Sequence, residues 1–459
     1  MFRVGVWKYR TILLAGDAAA MLGTFTLAMQ YWWWKVGPNY GEFFPAAFVS
    51  LAVYLLTLFM FEMYDIHFNY RLHALYSFIH ILGAVVVAGL SLSVLFYLLP
   101  GVKLPRGSFF IQMALVVPVL FVWRINFWRL RQETLTPKRV LIIGVGEEAQ
   151  SAFDILKKFG LEYQVIGFIT DRADDQKVTV GGHAVLGHTT ELPHIVKQQE
   201  VEGIILATGH RAGDQLIWAS LQCRMQGVFV SDLVGLGEQL LGTILLKQVR
   251  DSWFVMAPGF LILHHRVFRR IKRIADVTCA SIGLTLALPL LLLAMMLVAL
   301  ESRGPVFFRQ YRVGQNEQLF SALKLRTMKW GTETESPYTA KTDPRVTRIG
   351  RVLRFLRIDE IPQMWNVLKG EMSFIGPRAE WDILVKEYKD KIPYYSLRHV
   401  VKPGITGWAQ VNYPYGSSVE DAYRKLEYDL YYVKNLSLVL DLKILLKSVS
   451  VVLLGKGVR

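Results

Sequence analysis

The stretch Arg357-Ile358-Asp359-Glu360-Ile361-Pro362-Gln363 sets two adjacent carboxylates between two segments that carry arginine, Asp343–Arg354 and Glu371–Glu380. Neighbouring carboxylates repel unless a cation lies close. A carboxylate nucleophile, a divalent metal and phosphate-binding arginines can all converge on such a stretch. That combination suits chemistry on a phosphoanhydride. An Asp-Glu pair alone is also what an ordinary solvated helix N-terminus carries. The elements that position it therefore have to decide.

Those elements belong to a chain of 459 residues, long enough for two or three domains. Its 53% hydrophobic and 13% aromatic content points to membrane segments. The net charge of +15 suits anionic lipid headgroups or phosphorylated substrates. With this hydropathy, nucleic acid is not an expected partner. Cysteine occurs only at Cys223 and Cys279, which excludes a disulfide framework or a thiolate metal site. The first apolar segment lacks a signal-peptide cleavage pattern and reads as a retained anchor.

Residues 1–130 read as a four-helix transmembrane bundle, with apolar stretches at Thr11–Trp34, Ala46–Tyr64, Ala74–Leu99 and Ser108–Trp123. Trp32, Trp33, Trp34, Tyr64, Tyr97 and Trp123 sit at their ends, as interfacial aromatics do. Asp17, costly in lipid, must face another helix. Arg3, Lys8 and Arg10 precede the first stretch, and Arg124, Arg129, Arg131, Lys138 and Arg139 follow the fourth. The outer connections hold Lys35, Lys103 and Arg106, so the charge bias puts both ends of the bundle in the cytoplasm.

Residues 137–240 read as a doubly wound α/β domain. Lys138–Gly144 forms a strand and glycine turn, Gly146 opens a helix, and further strands follow at Gln164–Thr170 and Gly203–Ala207. The GxGxxA turn of Gly144 and Gly146 suits a nucleotide pyrophosphate, with Asp171 placed for a ribose. The same turn also occurs in such folds without cofactor, and no YxxxK pair accompanies it. A nucleotide-fold module without catalysis is the favoured reading.

His264-His265-Arg266 then opens a basic stretch that includes Lys272 and Arg273. The histidine pair suits an interface better than a metal, because no nearby carboxylate completes a site. The apolar run at 272–300 is long enough to span, yet Arg303, Arg309 and Arg312 make its far flank basic too. Pro289 removes a backbone bond near its middle. A re-entrant helix that dips into one leaflet and returns is expected, with Asp276 paired to Lys272 or Arg273.

Six motifs follow in order: Gly304–Gly314, Lys324-Leu-Arg326-Thr-Met328, Asp343–Arg354 with Arg345, the dyad, Asn366–Glu380 with Gly376-Pro-Arg378, and Lys402-Pro-Gly-Ile-Thr-Gly-Trp408-Ala-Gln410. In this order they resemble the bacterial sugar transferase family, the monotopic polyprenyl-phosphate phosphoglycosyl transferases, over residues 266–459. The upstream bundle and nucleotide-like fold resemble the long form of that family, which initiates exopolysaccharide or O-antigen repeat units.

The resemblance implies an α-rich monotopic catalytic domain on the cytoplasmic face of the bacterial inner membrane. It implies a UDP-sugar donor, a polyprenyl (undecaprenyl) phosphate acceptor, Mg²⁺, and a covalent aspartyl-phosphosugar intermediate with release of UMP. Asp359 matches the nucleophile, Glu360 the residue assisting Mg²⁺, and Arg354 and Arg378 the phosphate-contacting arginines. Independently, a carboxylate can divide the transfer into two steps through an acyl phosphate, and arginines can bind phosphate bidentately. Lys324, Arg326, Arg345, Lys402 and Gln410 suit either substrate contact or structural pairing. The Lys402–Trp408 segment suits either an interfacial seat or a nucleotide contact.

Departures from the family pattern are Leu288 for serine before Pro289, Ala379 for proline after Arg378, and Ile358 and Ile361 for leucines. The tail at Leu436–Leu454 suits an amphipathic interfacial helix or a core-packing one. Two other functions fit parts of the chain: a membrane-tethered nucleotide-sugar oxidoreductase, resting on the glycine turn, and a non-catalytic scaffold of polysaccharide assembly. No residue selects glucose or galactose. The bundle and middle module offer surfaces for a homo-oligomer.

Overall fold

A computed structural model describes residues 4–36, 43–61, 63–64, 74–99, 101–102, 104–134, 136–160, 162–171, 179–209, 213–257, 259–260, 265–331, 343–414, 416 and 418–453. The side chains of Trp32 to Trp34 and Lys35, together with Arg3, Lys103 and His264, lie outside the described residues. The chain divides into two compact units, Met1–Leu233 and Val234–Arg459.

In the first unit, α1 (Val4–Val36), α2 (Phe44–Met60), α3 (Ala74–Leu98) and α4 (Arg106–Thr134) pack together, α1 on α4 and α2, and α3 on α2 and α4. Stretches of α1, α3 and α4 are long and apolar enough to cross a membrane, whereas α2 has 17 residues and is shorter. The fourth apolar stretch does not stop at Trp123, as expected from its hydropathy. Its helix runs on through Arg124 and Arg131, because both find acidic partners. Arg124 meets Asp17 of α1 at 2.5 Å and donates to the Met63 carbonyl at 2.6 Å. Arg131 meets Glu162 at 2.7 Å. Asp17 thus faces another helix, where a cation offsets its burial.

The rest of this unit alternates strand and helix: β1 (Lys138–Ile143), α5 (Glu147–Lys158), β2 (Tyr163–Thr170), β3 (Thr179–Val180), β4 (His183–His188), α6 (Leu192–Gln198), β5 (Gly203–Leu206), α7 (Asp214–Met225) and β6 (Phe229–Asp232). The sheet order is β3-β4-β2-β1-β5-β6, parallel except for the β3–β4 pair. Val140 to Ile143 are fully buried, as a strand covered on both faces requires. At Gly144 φ is +125° and a Cβ would lie 2.1 Å from the Ala207 carbonyl oxygen, so only glycine fits this turn.

The second unit opens within α8 (Leu233–Leu240), followed by α9 (Asp251–Met256) and α10 (Arg266–Glu301). Ile244, Leu246 and Val249 bury themselves among Tyr388, Leu426 and Leu430, and Lys434 pairs with Glu238 at 2.6 Å. Next come β7 (Phe307–Val313), β8 (Leu319–Leu325), α11 (Arg348–Phe355), α12 (Gln363–Lys369), β9 (Ser373–Ile375), α13 (Asp382–Lys391), β10 (Gly404–Thr406), α14 (Trp408–Asn412), α15 (Val419–Lys434) and α16 (Leu438–Leu453). β7 and β8 form an antiparallel hairpin, and β9 pairs in parallel with β10.

Helix α10 is continuous through Pro289 and long and apolar enough to cross a membrane, and both of its ends hold the same unit. Near its start, Lys272 pairs with Asp441 of α16 at 2.7 Å, and Arg273 donates to the Val367 and Leu368 carbonyls at the end of α12. Near its end, Leu291, Ala294 and Val298 pack with Leu325, Leu353 and Ile358, and Glu301 accepts from the Ile349 amide at 3.1 Å. Its middle leaves Leu286, Leu290, Leu292 and Leu293 exposed.

The expected pairing of Asp276 with Lys272 or Arg273 is not what forms. Asp276 Oδ1 instead accepts from the Ser373 hydroxyl and the Phe374 amide, each at 2.9 Å. Neutral strand donors lie at its depth, while the two longer cationic side chains reach past it to other partners.

Candidate active site

The dyad lies on a 3-10 turn, Ile358–Glu360, that follows α11 after a single left-handed residue, Arg357 (φ 58°). A non-glycine residue there costs about 1 kcal/mol or more. The reversal lets Ile358 and Ile361 pack against α10 while both carboxylates turn inward. Asp359 and Glu360 are only 8% and 9% exposed.

Their surroundings differ. Glu360 Oε1 accepts from Lys324 Nζ at 2.8 Å and Arg378 Nη2 at 2.9 Å, and Arg357 lies 3.7 Å from Oε2. Burial pushes the Glu360 carboxyl up, but Arg378, Lys324 and Arg357 together hold it well below the usual range. Asp359 is raised, chiefly by burial and also by the Glu360 charge, against the pull of Lys324, Arg354 and Arg357. Its Oδ1 is buried with no hydrogen-bond partner among the described residues. One carboxylate is therefore neutralised inside the protein, and the other keeps a buried oxygen without a partner among the described residues.

The supporting groups come from several elements. Lys324 stands on β8, and the Asn366 side chain of α12 bridges to that strand at the Ser321 carbonyl and Leu323 amide. Arg354, near the end of α11, donates from Nε to Thr327 Oγ1 at 2.8 Å. Arg378 leaves a segment that touches the Lys402–Trp408 motif backbone to backbone. A Cβ on Gly404 would lie 2.1 Å from the Gly376 amide nitrogen, and one on Gly407 2.1 Å from the Gly376 carbonyl oxygen. Those two motifs carry glycine because their main chains meet.

The remaining sequence candidates do not all gather here. Arg326 is 2% exposed and donates to the Ser302 and Arg303 carbonyls, which ties it to the end of α10. Arg345 forks onto Asp343, with Nη2 at 2.7 Å. Lys402 lies beside Arg273, both within 3.5 Å of where a Gly370 Cβ would stand. Gln410 donates to the Ile405 carbonyl at 3.0 Å. Trp408 is buried, stacks on Tyr431 and donates to the Gly242 carbonyl at 2.8 Å. In α16, Ile444 is buried beside Trp408 and Tyr432 while Val439 and Leu442 stay exposed, so one face packs and the other does not.

Residues 267–455 match the bacterial sugar transferase family, and residues 59–228 match a CoA-binding domain. A UDP-glucose:undecaprenyl-phosphate glucose-1-phosphate transferase of Caulobacter vibrioides is 43% identical over 39% of this chain and 68% of that protein. The chain belongs to the bacterial sugar transferases. An undecaprenyl-phosphate glucose phosphotransferase of Komagataeibacter xylinus is 34% identical over 74% of the chain and 64% of that protein. A UDP-N-acetylgalactosamine-undecaprenyl-phosphate N-acetylgalactosaminephosphotransferase of Aeromonas hydrophila is 41% identical over 52% and 55%. The chain thus spans less than two thirds of the length of these last two relatives.

Within this sugar transferase, sequence reasoning passed over Thr327 and Arg398 and read Arg312 only as part of the basic flank of α10. Arg312 and Thr327 lie inside quoted motifs. Arg398 lies in a 3-10 turn, Tyr395–Val400, which no motif marks.

In the middle module, a Cβ on Gly209 would come 2.9 Å from Glu148 Oε2. The Glu148 carboxylate therefore lies across the glycine turns that follow β1 and β5, where the strand order reverses. A diphosphate, as in CoA or a dinucleotide, would meet this charge and that of Glu147 at the start of α5.

Proposed function

We propose that the second unit transfers a hexose 1-phosphate from a UDP-sugar to undecaprenyl phosphate, initiating a polysaccharide repeat unit. The observation that carries this reading is the asymmetry of the dyad: Glu360 is bound by Lys324, Arg378 and Arg357, while the buried Oδ1 of Asp359 has no partner among the described residues. Asp359 Oδ1 attacks the β-phosphorus of the donor. The bond from that phosphorus to the bridging oxygen breaks, and UMP leaves with the electron pair. The sugar phosphate stays on Asp359 as an acyl phosphate. A phosphate oxygen of the lipid then attacks the same phosphorus, and the carboxylate departs, giving a polyprenyl diphosphate sugar.

Arg354 and Arg378 offset the charge on the transferring phosphoryl group. Among the described residues no three metal-ligating side chains cluster. Glu360 Oε1 is taken by Lys324 and Arg378, so a cation here would take Glu360 Oε2, an Asp359 oxygen and phosphate oxygens, the oxygen ligands Mg²⁺ prefers. Bound there, Mg²⁺ would neutralise the diphosphate.

Both ends of α10 dock on one unit and both flanks are basic, which supports a re-entrant helix over a spanning one. The catalytic unit would then lie on the cytoplasmic side of the inner membrane, where nucleotide sugars are found. The Glu148 carboxylate argues against the oxidoreductase reading. The deciding experiment incubates the protein with UDP-sugar and Mg²⁺, without lipid, and seeks a phosphosugar on Asp359 by mass spectrometry. Transfer that persists in Asp359→Asn would overturn the covalent route, and loss of UMP release from every UDP-sugar would overturn the transferase assignment.

A further inference from the structure

Four consecutive carbonyls, from Pro377 to Glu380, are each held by a donor from elsewhere in the unit. The Gly404 amide donates to Pro377 at 2.9 Å and the Val313 amide to Glu380 at 3.1 Å. Between them two guanidinium groups take the middle pair. Arg398 Nη2 donates to the Arg378 carbonyl at 2.9 Å, and Arg312 Nη1 donates to the Ala379 carbonyl.

Arg398 is itself fixed. It is 4% exposed, its Nη1 donates to Tyr395 OH at 2.6 Å, and Asp429 of α15 lies 2.8 Å from Nη2. Arg312 has its other donors on Gln310, at 3.2 and 3.0 Å. A buried cation with a counter-ion is costly to build, and loss of either partner leaves an uncompensated charge. The Nη2 that faces Asp429 also donates to the main chain of the residue whose side chain reaches Glu360.

We infer that Arg398 and Arg312 are positioning residues that hold the Arg378 guanidinium in register with Glu360 and the reacting phosphoryl group. The segment lacks the ring constraint a proline at 379 would give, and the two guanidinium clamps restrain it instead. The inference rests on the proposed role of Arg378 at the donor phosphate. Small displacements of a charged group at the reacting centre cost large factors in rate.

The test uses the full-length protein in nanodiscs with UDP-sugar, Mg²⁺ and undecaprenyl phosphate. Arg398→Lys keeps the charge beside Asp429 but loses the fork that spans Tyr395 and the Arg378 carbonyl. It is expected to lower kcat/KM for the UDP-sugar about 10- to 100-fold, with KM for the lipid unchanged. The double variant Arg398→Lys/Arg378→Lys is expected to be no worse than Arg378→Lys alone. Arg312→Lys, half-buried on β7, is read in the same cycle and carries the test if Arg398→Lys fails to fold. Full activity in the folded clamp variants, or losses that add to that of Arg378→Lys, overturns the positioning role alone. Full activity in Arg378→Lys overturns the reading of the site and the inference together.

Discussion

Asp359 and Glu360 are neighbours in sequence and in burial, yet neutralising each should move stability in opposite directions. Glu360→Gln removes the counter-charge 2.8 Å from Lys324 and 2.9 Å from Arg378. Lys324 is then a desolvated ammonium in a site with other cations. Breaking a buried pair from one side costs about 3–5 kcal/mol. At about 2–4 °C per kcal/mol for a unit of this size, Tm should fall by about 6–20 °C. Asp359→Asn removes a charge that burial disfavours and that has an unpartnered Oδ1.

Because the folded Asp359 carboxyl titrates above its unfolded value, its charged form costs stability at every pH above the folded pKa. The gain from Asp359→Asn therefore grows as pH rises through the folded pKa. It vanishes below about pH 4, where both states are protonated. Thermal unfolding of the full-length protein in nanodiscs, followed by tryptophan fluorescence at pH 8 and pH 5, reads both signs. Both variants should lose transfer. A lower Tm for Asp359→Asn at pH 8, or a Glu360→Gln Tm within about 2 °C of wild type, refutes the assigned asymmetry.

Three further outcomes follow from the same structure. Arg326→Ala should lower Tm, because donors to the Ser302 and Arg303 carbonyls are worth about 1.5–3 kcal/mol each when charged, while KM for the UDP-sugar stays within about twofold. A tenfold rise in KM would return Arg326 to the substrate. Gly144→Ala should cost about 3 kcal/mol or more by driving a Cβ onto the Ala207 carbonyl at a positive φ, seen as faster proteolysis within the middle sheet. Burial, aided by the nearby Arg398 charge, holds His399 down to about 4, so the unfolded chain gains a proton first as pH falls below its ordinary 6.5 and stability is lost toward pH 4. His399→Gln should therefore gain Tm relative to wild type as pH drops through that window, with no relative gain above about pH 7.

The dyad was legible because its motifs are local, and the helix–strand alternation of the middle module was legible because a strand–glycine turn–helix pattern announces it. What binds the dyad was less so. Lys324 and Arg326 are two residues apart and looked equivalent. Arg326 lies just past the end of β8, where strand alternation no longer applies, and its guanidinium turns to the end of α10 instead. Asp276 was read against its own helix neighbours, although its partners, Ser373 and Phe374, are about a hundred residues away. Arg398 gave no signal at all, since its partner Asp429 and its target, the Arg378 carbonyl, meet it only through the fold of α15 and the strand segment. The packing of Ile244 and Leu246 with α15 was hidden for the same reason.

The docking of both ends of α10 also bears on hydrophobic mismatch. Spanning helices such as α1, α3 and α4 must tilt or deform lipid when bilayer thickness changes. A helix whose start is tied to Asp441 and whose end is tied to the Ile349 amide has its depth set by bonds within its own unit. On the re-entrant reading it meets one leaflet only. Ile358 and Ile361 rest on that same helix, so on that reading the depth of Asp359 is set with the helix. On that reading, lengthening the acyl chains should strain the N-terminal helices and leave the depth of the Asp359 carboxylate unchanged.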